Sequence, residues 1–306
     1  MNLCQRGRNP RIKKKMFKKI LVPVDFSQAS KIALQYANEL LDEKGQLTLI
    51  HVFPSKIRET LTFFSTPEIV RDSEQRVEEL RARAQQELEK IGKSYEEKGC
   101  NVRLIFNEGD PASSVIDESL QGYDLVIVGI PEKKAQVAST ALNIIKGVKT
   151  SCFVVMEHQA KPKFNKILFT ADFSDISKIA FKEIALKLVS RLKCEVTVLN
   201  IFELYPLPYV EQGVIWMLGD VDEVKKNLQN RLVAEYPGEG VSYAVVEGAD
   251  AGVEIVDFAE AGKYNIIVMA HEKKDWLERA FLGSVTTKVI KLSKLPVLIY
   301  KRSSKT

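Results

Sequence analysis

The sequence predicts an α/β fold made of two similar, doubly wound domains, each on a five-stranded parallel sheet. Three observations carry that expectation. A long stretch recurs at a fixed offset. Within each copy, short apolar runs alternate with segments of helical period. The composition, 45% apolar and 28% charged over 306 residues, is that of a globular chain long enough for two cores.

The repeat is read by setting FKKILVPVDFSQASKIAL, from Phe17, above FNKILFTADFSDISKIAF, from Phe164. Phe17, Ile20, Leu21, Asp25, Phe26, Ser27, Ser30, Lys31, Ile32 and Ala33 all return in the second line. The match continues as LTLIHVF against VTVLNIF, FNEGD against VVEGA, YDLVIVGI against YNIIVMAH, and CFVVME against PVLIYK. The domains implied are 16–157 and 164–302, joined by a short polar linker over 158–163 that keeps them close.

In the first copy, Ile20–Val24 is a short apolar run containing Pro23, read as a buried parallel strand. Ala29, Ile32, Ala33, Tyr36, Ala37 and Leu40 follow at the i, i+3, i+4 spacing of one helix face. Leu47–Phe53 is the second strand, and a long charged helix covers about Glu68–Lys98. Val102–Phe106, Leu125–Val128 and Phe153–Met156 complete the five. The second copy repeats them with Ile167–Ala171, Val196–Ile201, Tyr243–Val246, Ile266–Met269 and Val297–Tyr300. Strand–helix alternation requires crossover connections, hence a parallel sheet covered on both faces. Ligands of such sheets bind beyond the carboxyl ends of the strands, where the strand order reverses. Asp25, Val52, Gly109 and Gly129 are expected at that edge in the first copy, and Asp172, Ile201, Gly248 and Ala270 in the second.

One stretch, IIVMAHEKKDWLERAFLGSVTTKV, has the layout of a phosphate loop: a buried strand, a polar loop, and Gly283-Ser284 opening an amphipathic helix. Charge adds no case for nucleic acid. Residues 1–15 hold six basic side chains and no acid, so a net +5 for the chain leaves the remainder one charge negative. That leader is expected to be disordered or untranslated, with Met16 the start. No apolar run nears the roughly 20 residues that span a bilayer, and no secretory pattern is present. Cys4, Cys100, Cys152 and Cys194 lack C-x-x-C spacing and read as reduced thiols of a cytoplasmic protein.

At these residues the chain resembles a tandem universal stress protein. The resemblance rests on KKILVPVDFS and NKILFTADFS, on the post-strand LIHV, on EGD-P and EGAD, and on FLGSVTTKVIKLSKLPVLIY, and it covers Phe17 to about Arg302. It implies an adenine nucleotide α-hydrolase-like fold with a flavodoxin-like strand order. It also implies that the two copies pair through their last strands as a pseudo-dimer inside the chain, with a further homodimer compatible. Some members bind ATP with Mg²⁺ through an Asp ending the first strand, main-chain groups after the second, and a loop G-x-x-G, nine residues, then G-[S/T]. Others lack the loop and do not, and no cofactor is required.

Carried over, Gly283-Ser284, followed by Val285, match the final pair in the second copy. Lys273 and Ala270 fall on the earlier glycines, with His271 beside them. In the first copy Gly129 matches the first glycine, Glu132 replaces the second, and Ser139-Thr140 stand for the last pair. Glycine serves such a loop by allowing positive φ and by letting backbone N–H groups approach phosphate oxygens. Lys273 can meet phosphate as a point charge, whereas Glu132 opposes it. The expected site is therefore Asp172, Ile201, Ala270, His271, Lys273, Gly283, Ser284 and Val285, with Asp25, Val52, Gly129, Ser139 and Thr140 forming the less complete counterpart in the first copy.

Plainer readings stand beside these. Asp25 and Asp172 can equally be helix-start carboxylates next to the caps Ser27 and Ser174. His51 reads as a core histidine, His158 as a linker residue, and His271 alone as a candidate ligand contact. FELYPLPYVEQGVIWML, with Tyr205, Tyr209, Ile215, Trp216 and Met217, reads as a segment packed under the next helix or as a flap or partner surface. Lys133-Lys134 and Lys273-Lys274 read as solvated charges. No catalytic grouping and no metal-ligand spacing is seen. The function expected is a non-catalytic cytosolic stress-response protein, a regulatory or binding module with degenerate adenine-nucleotide sites. The alternatives are an ATP-dependent switch or a pure protein-interaction scaffold. An ATP-using enzyme of related fold would need a loop such as S-G-G-x-D-S where DFSQAS and DFSDIS stand.

Overall fold

The structure, a computed structural model, describes residues 16–55, 67–131, 135–158, 162–203, 221–271 and 282–302. The leader, Glu132, Lys133, Lys134, Lys273, Lys274 and the insertion from Tyr205 to Met217 lie outside the described residues. In chain order the first copy runs β1 (Phe17–Pro23), α1 (Gln28–Leu40), β2 (Leu41–Pro54), α2 (Pro67–Glu96), β3 (Asn101–Gly109), α3 (Pro111–Ser119), β4 (Leu125–Ile130), α4 (Ala135–Gly147) and β5 (Ser151–Met156). The second runs β6 (Lys166–Thr170), α5 (Asp175–Ala180), a π-helical turn (Phe181–Ala185), α6 (Leu186–Leu192), β7 (Glu195–Glu203), α7 (Val221–Glu235), β8 (Val241–Gly248), α8 (Ala251–Ala261), β9 (Ile266–His271), α9 (Ser284–Leu292) and β10 (Val297–Lys301).

Ten strands form one sheet in the order β3-β2-β1-β4-β5-β10-β9-β6-β7-β8. All neighbours are parallel except β5 and β10, which meet antiparallel with Val297 opposite Val154 and Ile299 opposite Cys152. Within each copy the order is therefore third, second, first, fourth, fifth. This corrects the flavodoxin-like order, in which the second strand takes the outer place. Here the chain winds outward from β1 through β2 to β3, then crosses back to lay β4 on the other side of β1. The reversal falls between β1 and β4, and between β6 and β9, so each copy has its crevice there.

Side chains alternate across the strands and feed two cores, one on each face of the sheet. One face buries Ile20, Val22, Leu125, Ile127, Phe153 and Phe169 against α1, α2, α5 and the end of α7. The other buries Leu21, Val126, Val128, Val154, Ile267 and Ile299 against α3, α4, α8 and α9. Removing this much apolar surface from water, at about 25 cal/mol per Å², is the main stabilising term. No helix among the described residues is long and apolar enough to cross a membrane.

Candidate functional site

Both crevices begin with the same device. After β1 the chain turns through Asp25-Phe26-Ser27, and Phe26 is held at φ +63. Asp25 Oδ1 accepts from the Ser27 amide at 3.0 Å and its hydroxyl at 2.5 Å, while Ser27 caps α1 by accepting from the Ser30 amide at 3.2 Å. The second copy duplicates this: Phe173 at φ +63, Asp172 Oδ1 at 3.0 and 2.6 Å from Ser174, and Ser174 at 3.2 Å from the Ser177 amide. A left-handed phenylalanine costs about 1–2 kcal/mol, and the carboxylate–serine ring holds it in place. The cap role and a position on the crevice wall therefore coexist in each aspartate.

A second shared device was not legible from either residue alone. Aligning LTLIHVF with VTVLNIF sets His51 opposite Asn200. In the fold His51 Nδ1 lies 2.7 Å from the Val24 carbonyl, and Asn200 Nδ2 donates to the Ala171 carbonyl at 2.7 Å. Two different side chains thus tie the second strand to the residue just before the aspartate. His51 is half-buried, packs against Phe26 at 4.5 Å between ring centroids, and lines the first crevice. This corrects its reading as a core histidine. The repeat alignment, which paired two hydrogen-bond donors, was the available signal.

The second crevice is a cleft of about 510 Å³. Asp172, Ile201, Ala270, His271, Gly283, Ser284 and Val285 all line it, and Asn200, Thr286 and Ala251 complete much of the wall. Gly283 is the N-cap of α9 and provides no side-chain cap, so the amides of the first turn point outward without an intrahelical partner. A Cβ on Gly283 would meet nothing within 4 Å, and its φ of −43 is open to any residue. Glycine is therefore not required there by backbone strain; it leaves space at the helix start.

The first crevice, about 400 Å³, holds Asp25, Val52, Gly129 and Thr140. Gly129 does not adopt positive φ either: a Cβ there would come within 2.5 Å of the Ala29 backbone, so it permits close packing of β4 on the start of α1. Of the expected pair Ser139-Thr140, Thr140 lines this crevice through its side of α4. Both lie inside α4, which starts at Ala135, so their amides point into the helix ladder rather than into the crevice. Gly109 and Gly248 end β3 and β8, but the walls are made by Pro111 and Ala251 that follow.

The EGD-P and EGAD aspartates are caps. Asp110 accepts from Ser113 at 2.8 and 2.9 Å. Asp250 accepts from Gly252 and Val253, and its ion pair with Lys288 ties α8 to α9 and holds its carboxyl below the usual range. Burial pushes the Cys152 thiol up to about 12 and that of Cys194 to about 11, so both stay protonated packing residues. His158, beyond β5, sits 2.7 Å from the Lys294 carbonyl. Among the described residues no group of three His, Cys, Asp or Glu side chains is placed to hold a metal.

A doubly wound sheet with a crevice in each half, both opened by one aspartate-serine turn and one of them facing a glycine-led helix start without a side-chain cap, defines the class: a tandem α/β protein with two topological-switch crevices. The sequence pattern of the universal stress protein family matches residues 16–156 and again 163–301. The chain belongs to the universal stress protein family. A universal stress protein of Methanocaldococcus jannaschii is 34% identical over 148 residues, spanning 46% of this chain and 85% of that protein. A second from the same organism is 32% identical over 165 residues, spanning 46% and 97%. Among solved structures, a universal stress protein from Archaeoglobus fulgidus shares the fold along nearly the whole chain, with TM-score 0.63, 19% identity, and coverage of 94% of this chain and 97% of that one.

Proposed function

We propose that the chain is a non-catalytic cytosolic regulatory or binding module of the stress response, whose second domain binds an adenine nucleotide in the crevice between β6 and β9. The observation that carries this reading is the convergence of Asp172, Ile201, Ala270, His271 and Gly283–Val285 on one cleft. Helix-start amides free of a side-chain cap suit phosphate oxygens, because they offer N–H donors and the positive end of the helix dipole. Asp172, at the opposite wall, suits the hydroxyl or amine donors of the nucleoside. With no protein cage for a cation among the described residues, Mg²⁺ would arrive on the phosphates themselves. Lys273 would add a point charge to the same loop. The copies are proposed to work as an internal pseudo-dimer joined at β5 and β10.

Titration of the purified chain with ATP and Mg²⁺, by native mass spectrometry and calorimetry, tests this. One nucleotide per chain is expected. Gly283→Val should abolish uptake while leaving the unfolding midpoint unchanged, because the added side chain enters open space. No uptake at about 1 mM ATP, a free energy of roughly −4 kcal/mol, would overturn the reading.

A further inference from the structure

Away from both crevices, the seam between β5 and β10 has two ends related by an approximate two-fold axis. The strand register fixes which residues correspond. β4 pairs Val126 with Cys152, and β9 pairs Ile267, the counterpart of Val126, with Val297. Cys152 therefore corresponds to Val297 and Met156 to Lys301, one place off the alignment of CFVVME with PVLIYK.

At one end Lys301 lies under the C-terminus of α4, where its buried ammonium donates to the Ile145 and Val148 carbonyls. Aligning IIKGVK, at the end of α4, with VIKLSK, at the end of α9, makes Ile290 and Ser293 the matching carbonyls at the other end. The α9 ladder closes with the Ser293 amide donating to the Val289 carbonyl, which leaves the Ile290 and Ser293 carbonyls outside it. His158 takes the next one, that of Lys294. The Met156 thioether, standing in the place of Lys301, can donate nothing to them.

Between these groups lies a cavity of about 340 Å³, walled by Ile130, Leu142, Met156, Ile290 and Leu292. Leu292, 48% exposed where the first copy has Gly147, lengthens the apolar wall. Lys291 and Lys294 stand exposed at the mouth. They do not exclude a cation, because Lys146 and Lys149 hold the same places beside the Lys301 ammonium. The carbonyl end of a helix dipole favours positive charge.

We propose that this seam cavity binds a small aliphatic primary amine as its ammonium ion. The N–H groups rest on the Ile290 and Ser293 carbonyls, and a chain of about four carbons, the length of a lysine stem, lies along Leu142, Met156 and Leu292. The ligand does at one end of the seam what Lys301 does at the other, bridging the first domain to α9 of the second. A second ammonium at the mouth would meet Lys291 and Lys294, so a monoamine is preferred to a diamine.

n-Butylammonium is the probe, with two controls. Tetramethylammonium has the charge without N–H donors, and butyrate tests an anion drawn to the lysines. In two-dimensional NMR of the full chain, about 10 mM butylammonium should shift resonances of Met156, Ile290 and Ser293, and neither control should match it. Met156→Lys brings its own ammonium to the carbonyls and should abolish these shifts, whereas Met156→Leu should keep them. Lys301→Met opens the opposite end of the seam. There the same amine should add shifts at Ile145 and Val148 and recover part of the lost urea midpoint. The wild-type chain and Met156→Leu decide the matter even if Met156→Lys does not fold. No shift at Ile290 and Ser293 in the wild-type chain, equal shifts with either control, or undiminished binding by folded Met156→Lys would each overturn the proposal.

Discussion

At the scale of single residues, the pairing of His51 with Asn200 makes a titratable group do what an amide does in the other copy. Burial holds the His51 pKa below its ordinary value of 6.5, against the opposing pull of the Val24 carbonyl and the Asp25 charge. As pH falls, the unfolded chain takes up this proton first. The stability that neutral His51 contributes is therefore present above about pH 6.5 and is lost as pH drops through the folded-state value. Urea midpoints of the full chain should fall between about pH 7 and pH 5, and His51→Asn, the side chain the second copy uses, should flatten part of that slope. Asn200→Ala should cost about 1–3 kcal/mol by leaving the Ala171 carbonyl without its partner, read from the same urea curves. Neither residue could be assigned from its own position: a histidine in a buried apolar run fits a core as well as a crevice. Only the Val24 carbonyl, brought across from β1, tells the two apart.

At the scale of elements, glycines that look alike in the sequence do different work. Gly129 lies against the α1 backbone, and Gly129→Ala should destabilise by about 1–3 kcal/mol through overpacking, measured by thermal or urea unfolding. Gly283→Ala should be nearly neutral, since its side-chain direction is empty. The second copy already carries Ala270 where the first has Gly129, so its first helix must leave room for a methyl, and that helix also contains the π turn Phe181–Ala185. The helix starts at Ser27 and Ser174 were readable from capping chemistry and the repeated motif, whereas the caps at Asp110 and Asp250 came only with the structure. Nor was the early start of α4 readable. In AQVAST the good cap residues are Ser139 and Thr140, which point to a helix beginning there, and no local signal marks Ala135, where α4 begins.

For the whole molecule, the antiparallel contact of β5 with β10 joins two five-stranded sheets into one and covers two edges that would otherwise be exposed. Lys301 reaches across this seam: buried to 6% exposure, its ammonium donates to the Ile145 and Val148 carbonyls at 2.5 and 2.9 Å, at the end of α4. A cation at a helix C-terminus is favoured by the dipole. The equivalent position in the first copy is Met156, so the seam is not symmetric in charge. Lys301→Met should cost about 1–3 kcal/mol in urea unfolding by leaving two carbonyls unpaired. A fragment of residues 16–157 bares the β5 edge and should dimerise on a sizing column with light scattering; a monomer would show that the seam does not depend on edge pairing. The repeat, the alternation of periods and the capping motifs determined by themselves the two-domain α/β class, the order of elements along the chain, and the residues gathered at the strand ends. Tertiary structure alone decided the lateral strand order, which amides of α4 and α9 are free, and what His51 touches. These depend on contacts between segments far apart in the chain, where packing energy outweighs the weak preferences that a local sequence expresses.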